Sequence, residues 1–238
     1  MKKYVEHIKF VLLFGGIVFL FAFGTQRNNE RKITSVEVVF KDAAHYFIDL
    51  DAVNKLLIQN KDTITNVRKE ALALSKLEKL LDSNPMIQKS EVYITIDGVL
   101  GATIQQRKPV ARVIDSDNFY IDAFGKKMPL STLHTARVPL VSGFEKEDYK
   151  TLVKLIDKIN QDDLMRHLIV GIDKSAEKKI RLLPRKYDFY IEFGEVINID
   201  KKFQNFKAFF QKTVKDSTIT NYKSVALQLN NQVVATRK

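Results

Sequence analysis

The chain contains no cysteine and no tryptophan among its 238 residues. Without cysteine there is no disulfide, no zinc–thiolate centre and no thiol nucleophile. An oxidising compartment is permitted but not indicated. Histidine is scarce: His7, His45, His134 and His167 are the four, and none stands at the HxxxH spacing that puts two imidazoles on one helix face for a metal. There is no GxSxG elbow, no P-loop and no GxGxxG turn. Asp162-Asp163 and Asp115-Ser116-Asp117 gather carboxylates, but in turn-like contexts where Asp caps a helix or turns the chain. Internal repeats and low-complexity tracts are also missing. No catalytic set, cofactor cradle or metal set can be assembled, so the chain reads as non-enzymatic and without a cofactor.

What is present begins with charge. The formal net charge is +11, with 39 basic and 28 acidic residues. Such an excess suits nucleic acid, an anionic surface or an acidic partner. The lysines are scattered in pairs (Lys126-Lys127, Lys178-Lys179, Lys201-Lys202) with no basic arm, so nucleic-acid binding is not expected. The aromatic run Phe203, Phe206, Phe210 has helical spacing and reads as core packing rather than a base-stacking platform.

An uncharged stretch runs from Phe10 to Gln26, flanked by Lys2, Lys3 and Lys9 before and Arg27, Arg31 and Lys32 after. As a helix it is ~25 Å long, the lower limit for crossing a bilayer. One reading is a cleaved signal peptide with Ala22-Phe23-Gly24 as the small-x-small site. The other, favoured by the length of the run, is a retained anchor at 10–26, with Gly15-Gly16 tolerated inside it. The flanking charges are nearly balanced, and nothing later could form a second span. The expectation is a cytoplasmic tail at 1–9, one membrane helix, a linker at 27–32 and the bulk on one side.

The rest alternates strand and helix patterns. Ile33–Phe40 is β-rich. Asp49 or Asp51 can cap a helix carrying Val53, Leu56 and Leu57. Ser75 and Glu78 fit a capping box for a helix with Leu77, Leu80 and Leu81, stopped at Pro85. The segment Glu91–Val113 then reads as a hairpin around Asp97-Gly98: Val92, Ile94 and Ile96 face one way, and Leu100, Ala102 and Ile104 return. Pro109 places the second strand at an edge or ends it. Two helices on one face of a three-stranded sheet follow from the order β-α-α-β-β. Farther on, a hairpin around Phe124-Gly125, a helix through Leu152, Leu155, Ile156 and Ile159, strands at 168–172, 179–183 and 189–193, a helix through Phe203, Phe206, Phe210 and Val214, and two runs around Asn230-Asn231 complete the chain.

Asn84-Pro85, then Asp97-Gly98-Val99-Leu100, then Gln106-Arg107-Lys108-Pro109-Val110-Ala111, in that order and spacing, resemble the POTRA domain of the bacterial cell-division family FtsQ/DivIB. Gln106 stands where the family usually has Glu. Phe119–Ser131 and Val138–Gly143 continue the resemblance. It implies an α+β fold: a membrane helix, a POTRA domain at 33–112 and a second α/β domain at 113–238 with a mostly antiparallel sheet. It also implies a scaffold in the inner membrane, single-pass and type II, with its bulk in the periplasm and its place at the septum. The implied partners are FtsB and FtsL, with FtsK and the septal peptidoglycan synthase complex beyond them.

By position, the resemblance implies that a strand from FtsB adds at the C-terminal sheet edge, contacting Tyr222, Gln228, Leu229, Asn231, Val233, Val234, Ala235, Thr236 and Arg237. The family's usual Gly after the turn is Gln232 here. The POTRA recruitment surface is expected on the second hairpin strand, at Thr103, Gln105, Arg107 and Lys108. Two other classes compete. A POTRA-bearing protein of export or outer-membrane assembly would carry repeated POTRA units or a barrel. A secreted enzyme would be processed after Gly24.

Overall fold

The computed structural model describes residues 2–29, 32–41, 45–58, 73–175, 177, 179–229 and 232–238, with only the backbone described at 2–8 and 27–29. The chain divides into two units, Met1–Gln106 and Arg107–Lys238. This division falls earlier than the expected 112/113, because Pro109–Val113 is a strand of the second unit's sheet.

Helix α1 (Lys2–Asn29) contains Lys9–Gln26, a segment long and apolar enough to cross a membrane. A helix satisfies its own backbone groups, the condition that hydrocarbon imposes.

The rest of the first unit comprises β1 (Ser35–Lys41), α2 (Leu50–Ile58), α3 (Leu74–Asp82), β2 (Ile87–Ile94) and β3 (Val99–Gln106). The strand order is β1-β3-β2, with β1 parallel and β2 antiparallel to β3. Leu100, Ala102 and Ile104 alternate onto the buried face and meet Val53, Leu57 and Leu81 of the two helices. The hairpin turn has Gly98 at φ +91°, as Asp-Gly requires. Ile96 was expected to share the core face of Val92. It lies in the turn beyond the last pair, Ile94 with Leu100, and is 76 % exposed. The second hairpin strand was expected to lie at an edge or to end at Pro109, and it ends at Gln106, before the proline. It is the central strand, because the parallel return of β1 occupies its other side.

The expected capping box also fails. Ala73 is the N-cap of α3 and makes no side-chain cap. Glu78 instead accepts the Val92 N–H at 3.0 Å. Asp82 accepts both the N–H and the hydroxyl of Ser90, at 2.7 and 2.8 Å.

The second unit is one nine-stranded sheet with helices. Its elements are β4 (Pro109–Val113), β5 (Phe119–Asp122), β6 (Lys127–Met128), β7 (Leu140–Ser142), α4 (Tyr149–Gln161), α5 (Asp163–Leu168), β8 (Ile169–Lys174), β9 (Ile180–Pro184), β10 (Tyr190–Gly194), α6 (Ile199–Lys215), β11 (Tyr222–Ala226) and β12 (Val234–Arg237). The order is β12-β11-β10-β9-β8-β7-β4-β5-β6. Three junctions are parallel, β4–β7, β7–β8 and β10–β11, and the others are antiparallel.

Strand β7, within the Val138–Gly143 stretch that was not read as a strand, is internal to the sheet. Three residues are too short to show alternation. Leu152, Leu155, Ile156 and Ile159 of α4 and Phe203 and Phe206 of α6 are buried in the core. The apolar stripe of α6 stops before Val214, which is 43 % exposed. Thr213 takes the buried place and donates its hydroxyl to the Phe209 carbonyl at 2.9 Å. Lys202 fixes the start of α6 by donating to the carbonyls of Phe193 and Glu195, each at 2.8 Å, and burial pushes its ammonium below the ordinary lysine value.

Gly143, which follows β7, has φ +74°, and a Cβ there would overlap the Lys174 carbonyl oxygen. Gly143→Ala is expected to cost about 1–3 kcal/mol of backbone strain, before the clash is counted. The urea midpoint of the second unit measures this. An unchanged midpoint would contradict the role assigned to Gly143.

Candidate partner-binding edge

β12 ends the nine-stranded sheet and, among the described residues, is bonded on one side only, to β11. The register pairs Ala226 with Val234, Val225 with Ala235, Ser224 with Thr236 and Tyr222 with Arg237, with a bulge between Tyr222 and Ser224. Lys238 donates its N–H to the Asn221 carbonyl at 2.9 Å. Alternation along the strand then turns the backbone groups of Thr236 and Val234 toward β11 as well. Those of Val233, Ala235 and Arg237 are left facing outward. The parity agrees on β11, where Leu227 donates to Glu192 of β10 at 2.9 Å.

The expected contact residues fall into groups by what they touch. Val233 and Ala235 pack partly against the core. Val234 is 46 % exposed, and Thr236 and Arg237 are exposed. Tyr222 is half-buried, its ring edge-on to Phe209 with centroids 5.3 Å apart. Leu229 is exposed, and the exposed Gln228 lies against Gly194. Asn231 lies outside the described residues. Charge around the strand is positive: Lys223, Arg237 and Lys238 are all exposed, with Asp188 3.6 Å from Lys238. The imbalance runs through the whole second unit, which holds 25 of the 39 basic and 16 of the 28 acidic residues.

The expected recruitment surface is not a strand edge. Thr103 pairs with both Val39 and Glu91, and Gln105 with both Lys41 and Lys89. Their side chains are half-buried on the face opposite Leu100 and Ile104, but they have no free backbone side. Lys108 is exposed.

Arg107, expected on the recruitment surface, is buried instead. Its side chain is 9 % exposed and its guanidinium donates to the Asp122 carboxylate at 2.7 Å. The other oxygen of Asp122 accepts the N–H groups of Phe124 and Lys126 at 2.9 and 2.8 Å. One carboxylate thus shapes the β5–β6 turn and binds the start of the second unit. The Asp-x-x-Gly spacing of that turn was visible in the sequence; its pairing with Arg107, fifteen residues earlier, was not. Among the described residues no cluster of three or more His, Asp or Glu side chains is placed to hold a metal ion.

Two family models match the chain. Residues 108–236 match the model described as FtsQ/DivIB, C-terminal related, and residues 31–105 match a POTRA-like domain. No curated protein matches it.

Replacing Asp122 with Ala strands a buried guanidinium and two backbone donors. The expected loss is on the order of 3–5 kcal/mol, against less than about 0.5 kcal/mol for Lys108→Ala. Chemical denaturation of the two variants side by side checks this, and equal midpoints would refute the assignment.

Proposed function

The chain belongs to the FtsQ/DivIB family of non-enzymatic division proteins, and we propose that this division scaffold holds FtsB and FtsL by accepting a strand from FtsB along β12. The observation that carries the reading is the outward parity of Val233, Ala235 and Arg237 at the end of a nine-stranded sheet. Strand addition draws its affinity from main-chain hydrogen bonds and its specificity from alternate side chains. Each outward residue offers one N–H and one C=O. On one face the incoming strand meets Val234 and Thr236; on the other it continues the layer begun by Val233 and Ala235. Lys223, Arg237 and Lys238 favour an acidic incoming segment, since opposite charges across a strand pair attract and like charges repel.

In this reading α1 spans the inner membrane as a type II anchor, the two units lie in the periplasm, and the protein gathers at the septum. There the assembly passes to FtsK and the septal peptidoglycan synthase complex. The side chains of Thr103 and Gln105 serve as a recruitment surface of the POTRA-like unit, and the exposed Lys108, in the second unit, is a separate candidate contact. Thr103 and Gln105 act as part of a sheet face rather than as an edge.

The test uses the parity. Proline at 235 removes an outward N–H and leaves the bonds of Val234 and Thr236 to β11. Proline at 236 removes a bond of the protein's own sheet. Ala235→Pro is therefore expected to cut recovery of FtsB and FtsL with the full-length protein from membranes at least about tenfold, an affinity loss of about 1.4 kcal/mol. Its melting temperature is expected to change less than that of Thr236→Pro. Recovery of the pair at the wild-type level by Ala235→Pro would sink strand addition at this edge.

A further inference from the structure

The three-stranded sheet of the first unit has two outer strands, and they are not equivalent. β2 is partly closed: its outward Ser90 and Val92 N–H groups are taken by Asp82 and Glu78 of α3. β1 is open. Among the described residues it is bonded to β3 alone, in unbroken register from Ser35 with Val99 to Lys41 with Gln105. It contains no proline, glycine or bulge. Val36, Val38 and Phe40 are half-buried on the core side. Ser35, Glu37, Val39 and Lys41 are exposed, Val39 to 46 %. A long, regular edge with an exposed apolar residue is a template for another strand.

The charges on this edge select the partner. Glu37 and Lys41 stand two residues on either side of Val39. Laid antiparallel against itself and centred on Val39, the strand puts Glu37 opposite Lys41 of the second copy, and Lys41 opposite Glu37. Val39 then meets itself on the twofold axis, and Val38 meets Phe40 on the other face. An in-register parallel pairing would instead set Glu37 against Glu37 and Lys41 against Lys41, which is unfavourable. Among the described residues neither Glu37 nor Lys41 has an ion-pair partner in its own chain. Lys41 contributes only the last of several effects that lower the Glu91 carboxyl, behind the hydrogen bond from Lys89.

We propose that β1 pairs with β1 of a second copy of this chain, in an isologous antiparallel junction that joins two three-stranded sheets into one of six strands. Such a surface meets itself under twofold symmetry and closes after two copies, so it does not propagate into fibres. The strand begins at Ser35, shortly after α1 ends at Asn29. Two copies anchored in one bilayer are thereby confined near each other, which raises their effective concentration.

The absence of cysteine makes the test clean. Val39→Cys in the full-length protein brings two thiols to the axis, with Cα atoms about 4.5–5.5 Å apart, within disulfide reach. Ser35→Cys leaves its two thiols roughly 25 Å apart. Mild oxidation of membranes is expected to give a covalent dimer with Val39→Cys and not with Ser35→Cys. Adding Glu37→Lys should reduce the dimer at least about fivefold, and adding Lys41→Glu to that variant should restore it, because both ion pairs re-form with reversed polarity. Equal cross-linking at positions 35 and 39, failure of the charge swap to restore the dimer, or capture of a different protein at Cys-substituted position 39 would each overturn the proposal.

Discussion

Backbone N–H and C=O groups on the outer side of a sheet have no partner inside it. Each must find a side chain, a solvent molecule or another chain. This demand organises both units. On β2 it is met internally for two of the outward N–H groups, by two carboxylates of α3 one helical turn apart, Glu78 and Asp82. On β6 it is minimised, since the strand has two residues. On β12 and β1 it stays open among the described residues, and these are the two edges assigned to binding. β3, for which an edge was one of two sequence readings, has both sides occupied.

Carboxylates are spent on backbone donors throughout. Asp122 holds the turn before β6 as well as Arg107. Asp162 caps α5 by accepting the Met165 N–H at 3.1 Å and also meets Lys207 at 2.5 Å. Asp115 accepts the N–H of Ser116. Asp162 and Asp115 thus take the cap and turn roles that their contexts indicated. The surplus of lysine and arginine over carboxylates in the second unit remains at its surface, since Arg107 and Asp122 are its only buried charged residues among those described. That favours long-range attraction of an acidic partner over any particular contact.

The fold was legible where a pattern is long. The stripe Leu152, Leu155, Ile156, Ile159, the run Phe203–Phe210 and the Asp-Gly hairpin each repeat a period over enough residues to fix an element and its buried face. The readings that failed were short or ambiguous. Leu140–Ser142 has three residues and no visible alternation. Val214 continues the α6 period but lies past the point where the core ends. Ser75 and Glu78 satisfy the capping-box spacing, yet Glu78 has a stronger claim on it from β2. For the site, β12 as the last strand was legible. Arg107 was not, because a charged residue beside Lys108 and Pro109 has the local signature of an exposed edge.

The sequence by itself determined the apolar N-terminal helix, the β-α-α-β-β order of the first unit, the strand-rich second unit and the positive charge. These depend on composition and local period, which neighbouring residues set among themselves. Only the tertiary structure decided which strands are central, which edges are closed and which charges are buried. Those outcomes depend on residues far apart in the chain meeting in space: β1 closing over β3, Asp82 reaching Ser90, Asp122 reaching Arg107. A hydrogen bond or an ion pair between distant residues leaves no periodic trace in the sequence, because its energy depends on a geometry that exists only after the chain has folded.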